Sequence, residues 1–336
     1  MAQDAKEEKP PEAPEEIAKL SKYKIDADVN PRALFWEIVR AYKEKSGLEE
    51  LLKKNGKSRE ALVNIGATVL LEDERIYHVK IAKARLAECI LEMVVLGGWK
   101  DVLERLLENL YDRRKGPNLN MMLALGHAAE TRPELLAWMK ELLGEGRPSE
   151  PLLGYVSNLG DRKLVEGLKE QLMFIAKSEI NEPQLYALEA LSVMVKEDAH
   201  VKKVFIDLMD DWDVRAKKVV LENLSGLEDA DVGKKAVAAY VYEFDPYSKN
   251  LLKGIIKNNK DAAKGEFGKY AGKYNEKVNK ELKDLAESVY GKKEAKDILG
   301  KLETGGRKDG GNPQVSASHR SSDKEAEKPE APAELP

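Results

Sequence analysis

The chain has 336 residues, 42% hydrophobic and 35% charged, with 56 Lys plus Arg against 60 Asp plus Glu and a net charge of −4. That balance describes a folded chain with a heavily charged surface and excludes a wholly disordered one. A single cysteine, Cys89, excludes an internal disulfide and a Cys-rich zinc module, and the most apolar stretch, 89–99, is too short for the ~20 residues of a membrane span.

Residues 1–16 hold six acids, two Lys and Pro10, Pro11 and Pro14, with no large apolar side chain after Met1. Such a segment cannot bury enough surface to offset ordering entropy of roughly 1–2 kcal/mol per residue, so a disordered acidic tail is expected. It has no apolar core of a secretory signal, and a cytoplasmic location is the expectation. Residues 17–57 are predicted to form an N-terminal helical cap. Asn30 is a good N-cap, Pro31 suits the first helical position, and Leu34, Ile38, Val39 and Tyr42 share one face up to Gly47. Two motif fragments in this part fail on inspection. Gly56-Lys57-Ser58 ends like a phosphate loop, but Leu51 stands where its first glycine is required. Asp26, Asp28, Asn30 and Glu37 match calcium-loop positions, but Pro31 occupies the place of the obligatory glycine.

From 58 to 259 the apolar residues recur at helical spacing, and a branched apolar residue followed by a small one returns at a fixed interval. The copies are Ile65-Gly66, Leu96-Gly97, Leu125-Gly126, Leu159-Gly160, Leu191-Ser192 and Leu224-Ser225, spaced by 31, 29, 34, 32 and 33 residues, with Ile256 following 32 later. Three residues earlier stand Leu62, Met93, Met122, Val156, Leu188, Leu221 and Lys253. The small residue is expected to let the next unit approach closely. Between markers a second amphipathic helix is predicted over 99–110, 133–143, 164–176, 200–209 and 232–242, set off by turns such as Gly116-Pro117, Arg147-Pro148, Glu182-Pro183 and Asp245-Pro246. Two helices in about thirty residues enclose no core alone, but stacked copies build a continuous one. The expected fold is all-α, an α-α superhelix of six to seven hairpin repeats with helical caps and disordered tails; a helical bundle is the competing reading. Residues 260–302 are predicted as a Lys-rich C-terminal helical cap and 303–336 as a second disordered tail.

Asp211-Trp212-Asp213-Val214-Arg215-Ala216, leading into Val219, Val220, Leu221 and Leu224, resembles the second helix of a HEAT repeat, and Tyr186-Ala187-Leu188-Glu189-Ala190-Leu191-Ser192 resembles its short form. The resemblance covers roughly 58–259, and the period near 32 is similar to that of the short HEAT-like repeats also found in bilin lyases. It implies that Asp211 or Asp213 and Arg215 bridge adjacent repeats. The tetratricopeptide pattern fits the period but not the Trp, Leu-Gly and Tyr spacing.

The expected function is that of a non-enzymatic protein-binding scaffold or adaptor, using the concave face that HEAT-like stacks line with their second helices. Asn64, Asn158 and Asn223 each precede a marker by one residue and are the candidate binding column on that face. The alternative is nucleic-acid binding, possibly by a HEAT-fold DNA-repair-like enzyme. It rests on 249–302, where 14 Lys against eight acids give a local net of +6. Lys249, Lys253, Lys257, Lys260 and Lys264 would form one anion-facing stripe if their helix is unbroken, continued by Lys269 and Lys273. No catalytic set, metal site or cofactor is expected: the four His at 78, 127, 200 and 319 are far apart, and Cys89 has no neighbour that would lower its pKa. Trp36, Trp99, Trp138 and Trp212 lie at helix starts or on apolar faces and are expected in the core or between repeats.

Overall fold

The computed structural model of the protein describes residues 77–144 and 146–299 together with single positions 37, 40, 50, 59, 63, 66, 70 and 71. The predicted tails, the Asp26 to Asn30 and Gly56-Lys57-Ser58 motifs, Trp36 and Asn64 lie outside the described residues, and Glu37 is helical. The described chain is all-helical apart from one tiny hairpin. Its helices are α1 (Tyr77–Leu96), α2 (Lys100–Asn109), α3 (Leu119–Thr131), α4 (Pro133–Leu142), α5 (Glu150–Leu159), α6 (Arg162–Ser178) and α7 (Glu182–Leu191). They continue, after a 3-10 turn at Ser192–Met194, with α8 (Ala199–Asp207), α9 (Val214–Leu224), α10 (Ala230–Tyr242), α11 (Pro246–Asn258), α12 (Lys260–Tyr270), α13 (Glu276–Tyr290) and α14 (Lys292–Leu299). Where a plain turn was expected at Gly116-Pro117, strands β1 (Tyr111–Asp112) and β2 (Gly116–Pro117) pair antiparallel, Tyr111 opposite Pro117.

Most packing follows one pattern, in which a helix touches a chain neighbour or the helix two places on; α2 against α5 and α3 against α6 are further contacts. The odd helices α1, α3, α5, α7, α9, α11 and α13 form one row, and α4, α6, α8, α10, α12 and α14 form the other. Five side-chain bonds between rungs of the first row and its turns span nearly one period: Ser157 to Glu189 is 32, Arg215 to Glu182 33, Lys249 to Glu281 32, Asn258 to Ser225 33 and Tyr242 to Tyr274 32, while bonds such as Lys169 to Asp198 and Lys202 to Asp229 are shorter in sequence, at 29 and 27. A bundle has no reason to place its bonds one period apart; a stack of equivalent helix pairs must. Residues 260–299 continue this alternation, so the Lys-rich segment forms further rungs as it ends the described chain.

The marker register is largely structural. Leu125, Leu191, Leu224 and Ile256 are buried, as are Val156, Leu188 and Leu221 three residues before a marker. Leu96 departs from it at 71% exposed, because α1 runs on to that residue and buries Leu91 and Val94 instead. The small residues divide in the same way. A Cβ on Gly126 would stand 2.5 Å from Leu159 of the next rung, and one on Gly66 would stand 2.6 Å from Leu106, the close approach expected of them. Gly160 is different: it closes α5 in the left-handed region at φ 59°, with nothing near it, so backbone geometry requires it.

Charged rungs reinforce the second row. Asp198 caps α8 through the His200 and Val201 amides and accepts Lys169 of α6 at 2.9 Å. Asp229 caps α10 and accepts Lys202 of α8 at 2.7 Å. The Val201 amide and the Lys169 ammonium hold the Asp198 carboxyl below the ordinary range, and the Lys202 ammonium does so for Asp229. A carboxyl depressed on folding contributes stability that is complete above its unfolded pKa of about 3.9 and is lost as pH falls through its folded value. Melting temperature should therefore be level from neutral pH to about pH 5 and fall steadily below about pH 4. Asp229→Asn keeps the cap and loses the ion pair; it should cost about 0.5–1 kcal/mol at neutral pH and make the acid limb shallower. An acid limb parallel to that of the parent would contradict this assignment.

Candidate functional site

The turns that lead from the second row into the first share a register. The residues at the N-cap positions of α3, α5, α7, α9, α11 and α13 are Asn118, Ser149, Asn181, Asp213, Asp245 and Asn275, spaced by 31, 32, 32, 32 and 30 residues, and all but Asn181 accept a helix amide. Immediately before each cap stand Pro117, Pro148, Ile180, Trp212, Phe244 and Tyr274, an apolar or aromatic residue every time. A residue in that place usually folds onto the fourth residue of the helix and is covered by it. For Ile180 that partner is Leu185, but for Trp212 and Phe244 it is Lys217 and Lys249. Lys217 is held instead by Glu243 at 2.7 Å, and Lys249 by Glu281 at 2.5 Å. All three side chains face solvent: Trp212 is 70% and Phe244 88% exposed, and Ile180 is 53% exposed in spite of Leu185. Because equivalent turns stack, the three lie in consecutive rungs along one edge.

Further aromatic groups flank this ridge. The Tyr242 and Tyr274 hydroxyls are hydrogen-bonded at 2.6 Å with their rings edge to face, and Tyr270 stacks on Tyr274. Tyr247 donates to Glu222 Oε1 at 2.6 Å and carries the Lys218 ammonium over its ring at 5.4 Å. Burial pushes the Tyr274 phenol well above its ordinary range, and its hydrogen bond to Tyr242 adds to the effect.

The ridge is set in negative charge. The segments 179–182, 207–215 and 242–247 hold eight carboxylates and one Arg, a net of −7. Lys217 and Lys235 neutralise Glu243 and Asp210, while Arg215 spans Glu182 and Asp213. Glu179, Asp207, Asp211 and Asp245 have no ion-pair partner among the described residues. Asp211 accepts Gln184 Nε2 at 3.0 Å, and Asp245 caps α11 through the Ser248 amide, which holds its carboxyl below the ordinary range. At the ridge's N-terminal end an open cleft of about 680 Å³ is bounded by Glu104, Glu108, Glu141 and Glu150, and by Glu179 and Pro183 beside Ile180. Arg113, at the hairpin tip, reaches into it and meets Glu150 at 2.7 Å.

Asn158 of α5 and Asn223 of α9 turn their carboxamides back onto Gly154 and Val219 of their own helices, both at 2.8 Å, with α7 between the two helices. The Lys stripe is not continuous, because α11 ends at Asn258 and α12 begins at Lys260. Asn259 between them bonds to Leu227, Asp229 and Ile255, and this forces the chain to turn. Lys249, Lys264 and Lys269 are occupied by Glu281, Glu294 and Glu266, whereas Lys253, Lys257, Lys260 and Lys273 have no ion-pair partner among the described residues. Trp99 and Trp138 pack against the core as expected, but Trp212 does not. The physical reason is position: just outside a helix start, a side chain is covered only if the helix offers it an apolar partner. The capping register itself was present in the sequence, as a cap residue preceded by Pro, Ile, Trp, Phe or Tyr every 30 to 32 residues.

Asp211 and Arg215 do bridge to the preceding rung, through Gln184 and, at 2.7 Å, Glu182. Among the described residues, no group of three or more His, Cys, Asp or Glu is arranged to hold a metal ion, and no helix is long and apolar enough to cross a membrane. Comparison of the chain with protein-family models and with curated proteins finds no match.

Proposed function

We propose that this chain is a non-enzymatic scaffold that holds another protein, built from short HEAT-like repeats. The bridging of rungs by Asp211 and Arg215 supports the repeat type. One observation carries the function: Ile180, Trp212 and Phe244 occupy the same position of three consecutive turns and are all uncovered. A single exposed apolar residue is ordinary on any surface. Repetition in register is not, because each copy was free to be polar at no cost to the core. Extended apolar surface of this kind marks interaction sites, and aromatic side chains dominate the energetics of such contacts. The supported surface is therefore the turn edge, in place of the second-helix face carrying Asn158 and Asn223.

The test is affinity purification of the full chain, its Trp212→Ser/Phe244→Ser variant and a Leu96→Ser control, with quantitative mass spectrometry. Leu96 is similarly exposed but lies at the opposite end of its helix pair. The expected result is a defined set of proteins retained by the parent and the control and depleted about tenfold from the double variant, at unchanged melting temperature. Equal recovery with all three would show that the edge is not the binding surface.

A further inference from the structure

We infer that the partner of this edge is an extended, Lys- or Arg-rich segment in the polyproline II conformation, with an apolar side chain at every third residue. This inference rests on the scaffold reading and specifies its ligand.

The spacing of the ridge selects the conformation. Neighbouring packed helices lie about 8–10 Å apart, so Ile180, Trp212 and Phe244 offer anchor points at that interval. A polyproline II chain rises about 3.1 Å per residue with three residues per turn, and so returns a side chain to the same face every ~9 Å. A β-strand rises about 3.3 Å and alternates its faces, so side chains on one face recur at about 7 or 13 Å and miss the interval. A helix advances only about 5.4 Å per turn and would span the ridge with unmatched residues. Exposed aromatic rings also suit a conformer whose backbone makes no internal hydrogen bonds and loses little entropy on docking.

The charge of the turns selects the other two residues of each triplet. The turn segments hold eight carboxylates and one Arg, Lys217 and Lys235 pair with two of the carboxylates, and Glu179, Asp207, Asp211 and Asp245 have no ion-pair partner among the described residues. The adjoining cleft is lined by five Glu, among them Glu104 and Glu108, against Arg113 and Arg147. Phosphate-bearing and acidic partners are repelled here, while a cationic segment gains both steering and rim contacts. This chain's own Lys-rich rungs are folded into helices, so they do not present the required extended backbone.

The experiment is fluorescence anisotropy of the full chain with labelled peptides of four Leu-Pro-Lys triplets, four Leu-Pro-Glu triplets and four Ser-Pro-Lys triplets. Expected is saturable binding of Leu-Pro-Lys alone, weakened about tenfold both in Trp212→Ser/Phe244→Ser and by about 0.5 M salt. Equal or tighter binding of Leu-Pro-Glu, lost in the double variant, would overturn the cationic partner and leave the scaffold reading standing. Equal binding of Ser-Pro-Lys would overturn the apolar anchors. No binding of any peptide at about 1 mM would overturn the inference outright, while the purification comparison judges the scaffold reading independently. Sedimentation of the free chain completes the test: a dimer that the double variant dissolves would assign the ridge to a second copy and overturn the peptide.

Discussion

Asn259→Ala will lower the stability of the folded chain by about 3 kcal/mol, one of the largest effects expected of a single polar side chain here. Asn259 stands at the break between α11 and α12 and is 7% exposed. Its Nδ2 donates to the Leu227 carbonyl at 2.8 Å and to Ile255 at 3.0 Å, and its Oδ1 accepts the Asp229 amide at 2.6 Å. Truncation leaves the Leu227 carbonyl and the Asp229 amide without this partner in a part-buried seam, while the Ile255 carbonyl keeps the Asn259 backbone amide, and each unsatisfied group costs about 1–3 kcal/mol. The effect reaches beyond the seam. Asp229 caps α10 and receives Lys202 from α8, so one carboxamide ties three consecutive rungs of a row. Packing leaves no slack, since a Cβ on Gly233 of α10 would stand 2.5 Å from the Asn259 Cβ and 3.1 Å from its carbonyl. In a stack whose stability is a sum of unit and neighbour contributions, the loss falls on one interface. Urea denaturation should therefore show a lowered midpoint and a broadened transition, with α12 to α14 released first. A cost below about 0.5 kcal/mol would mean that water replaces these bonds freely.

Gly154→Val will unseat the hairpin, at a cost of about 3 kcal/mol. Tyr111 of β1 lies across α5 at Gly154, and its hydroxyl donates to Tyr186 of α7 at 2.8 Å, so the ring spans a rung to reach the following one. A Cβ at 154 would stand 2.5 Å from Tyr111 Cε2 and 3.0 Å from its Cζ and hydroxyl. A flexible side-chain end could move aside, but this ring is pinned at its tip by Tyr186 and flanked by Tyr155, whose own hydroxyl holds the Leu110 carbonyl at 3.1 Å. The hairpin must lift, and with it Arg113, which forms part of the cleft wall. Hydrogen exchange should accelerate at 111–117 and stay unchanged at 207–215 and 242–247, with the melting temperature lowered. Exchange that is equally fast in both regions would indicate global loosening instead of a displaced hairpin.

These two sites show how differently the parts of this molecule could be read in advance. Helical spacing, Pro-preceded turns and the recurrent Leu-small pair were sufficient for the helices and their pairing, because local propensity and a repeated apolar face act over few residues. The second-row helices fall within two residues of the ends expected for them, with 162–178 found where 164–176 was predicted. The hairpin at 111–117 was not legible, since strands of two residues have no periodicity, and Tyr186, which secures it, is 75 residues away. The marker glycines looked alike in the sequence yet serve as contact surface at 126 and as a left-handed helix end at 160.

The candidate site divides along the same line. The sequence by itself determined that the chain is built of helix pairs with a period near 32, and that an apolar residue precedes each cap, because both follow from short-range patterns. Only the tertiary structure decided which of those residues are uncovered. Trp212 and Phe244 face solvent, while Lys217 and Lys249, at the positions that would cover them, pair with Glu243 and Glu281. It also decided that the Lys stripe breaks, since Asn259 finds its partners near residue 228, about thirty positions back. Exposure and ion pairing are set by groups distant in sequence, and no window along the chain contains both partners.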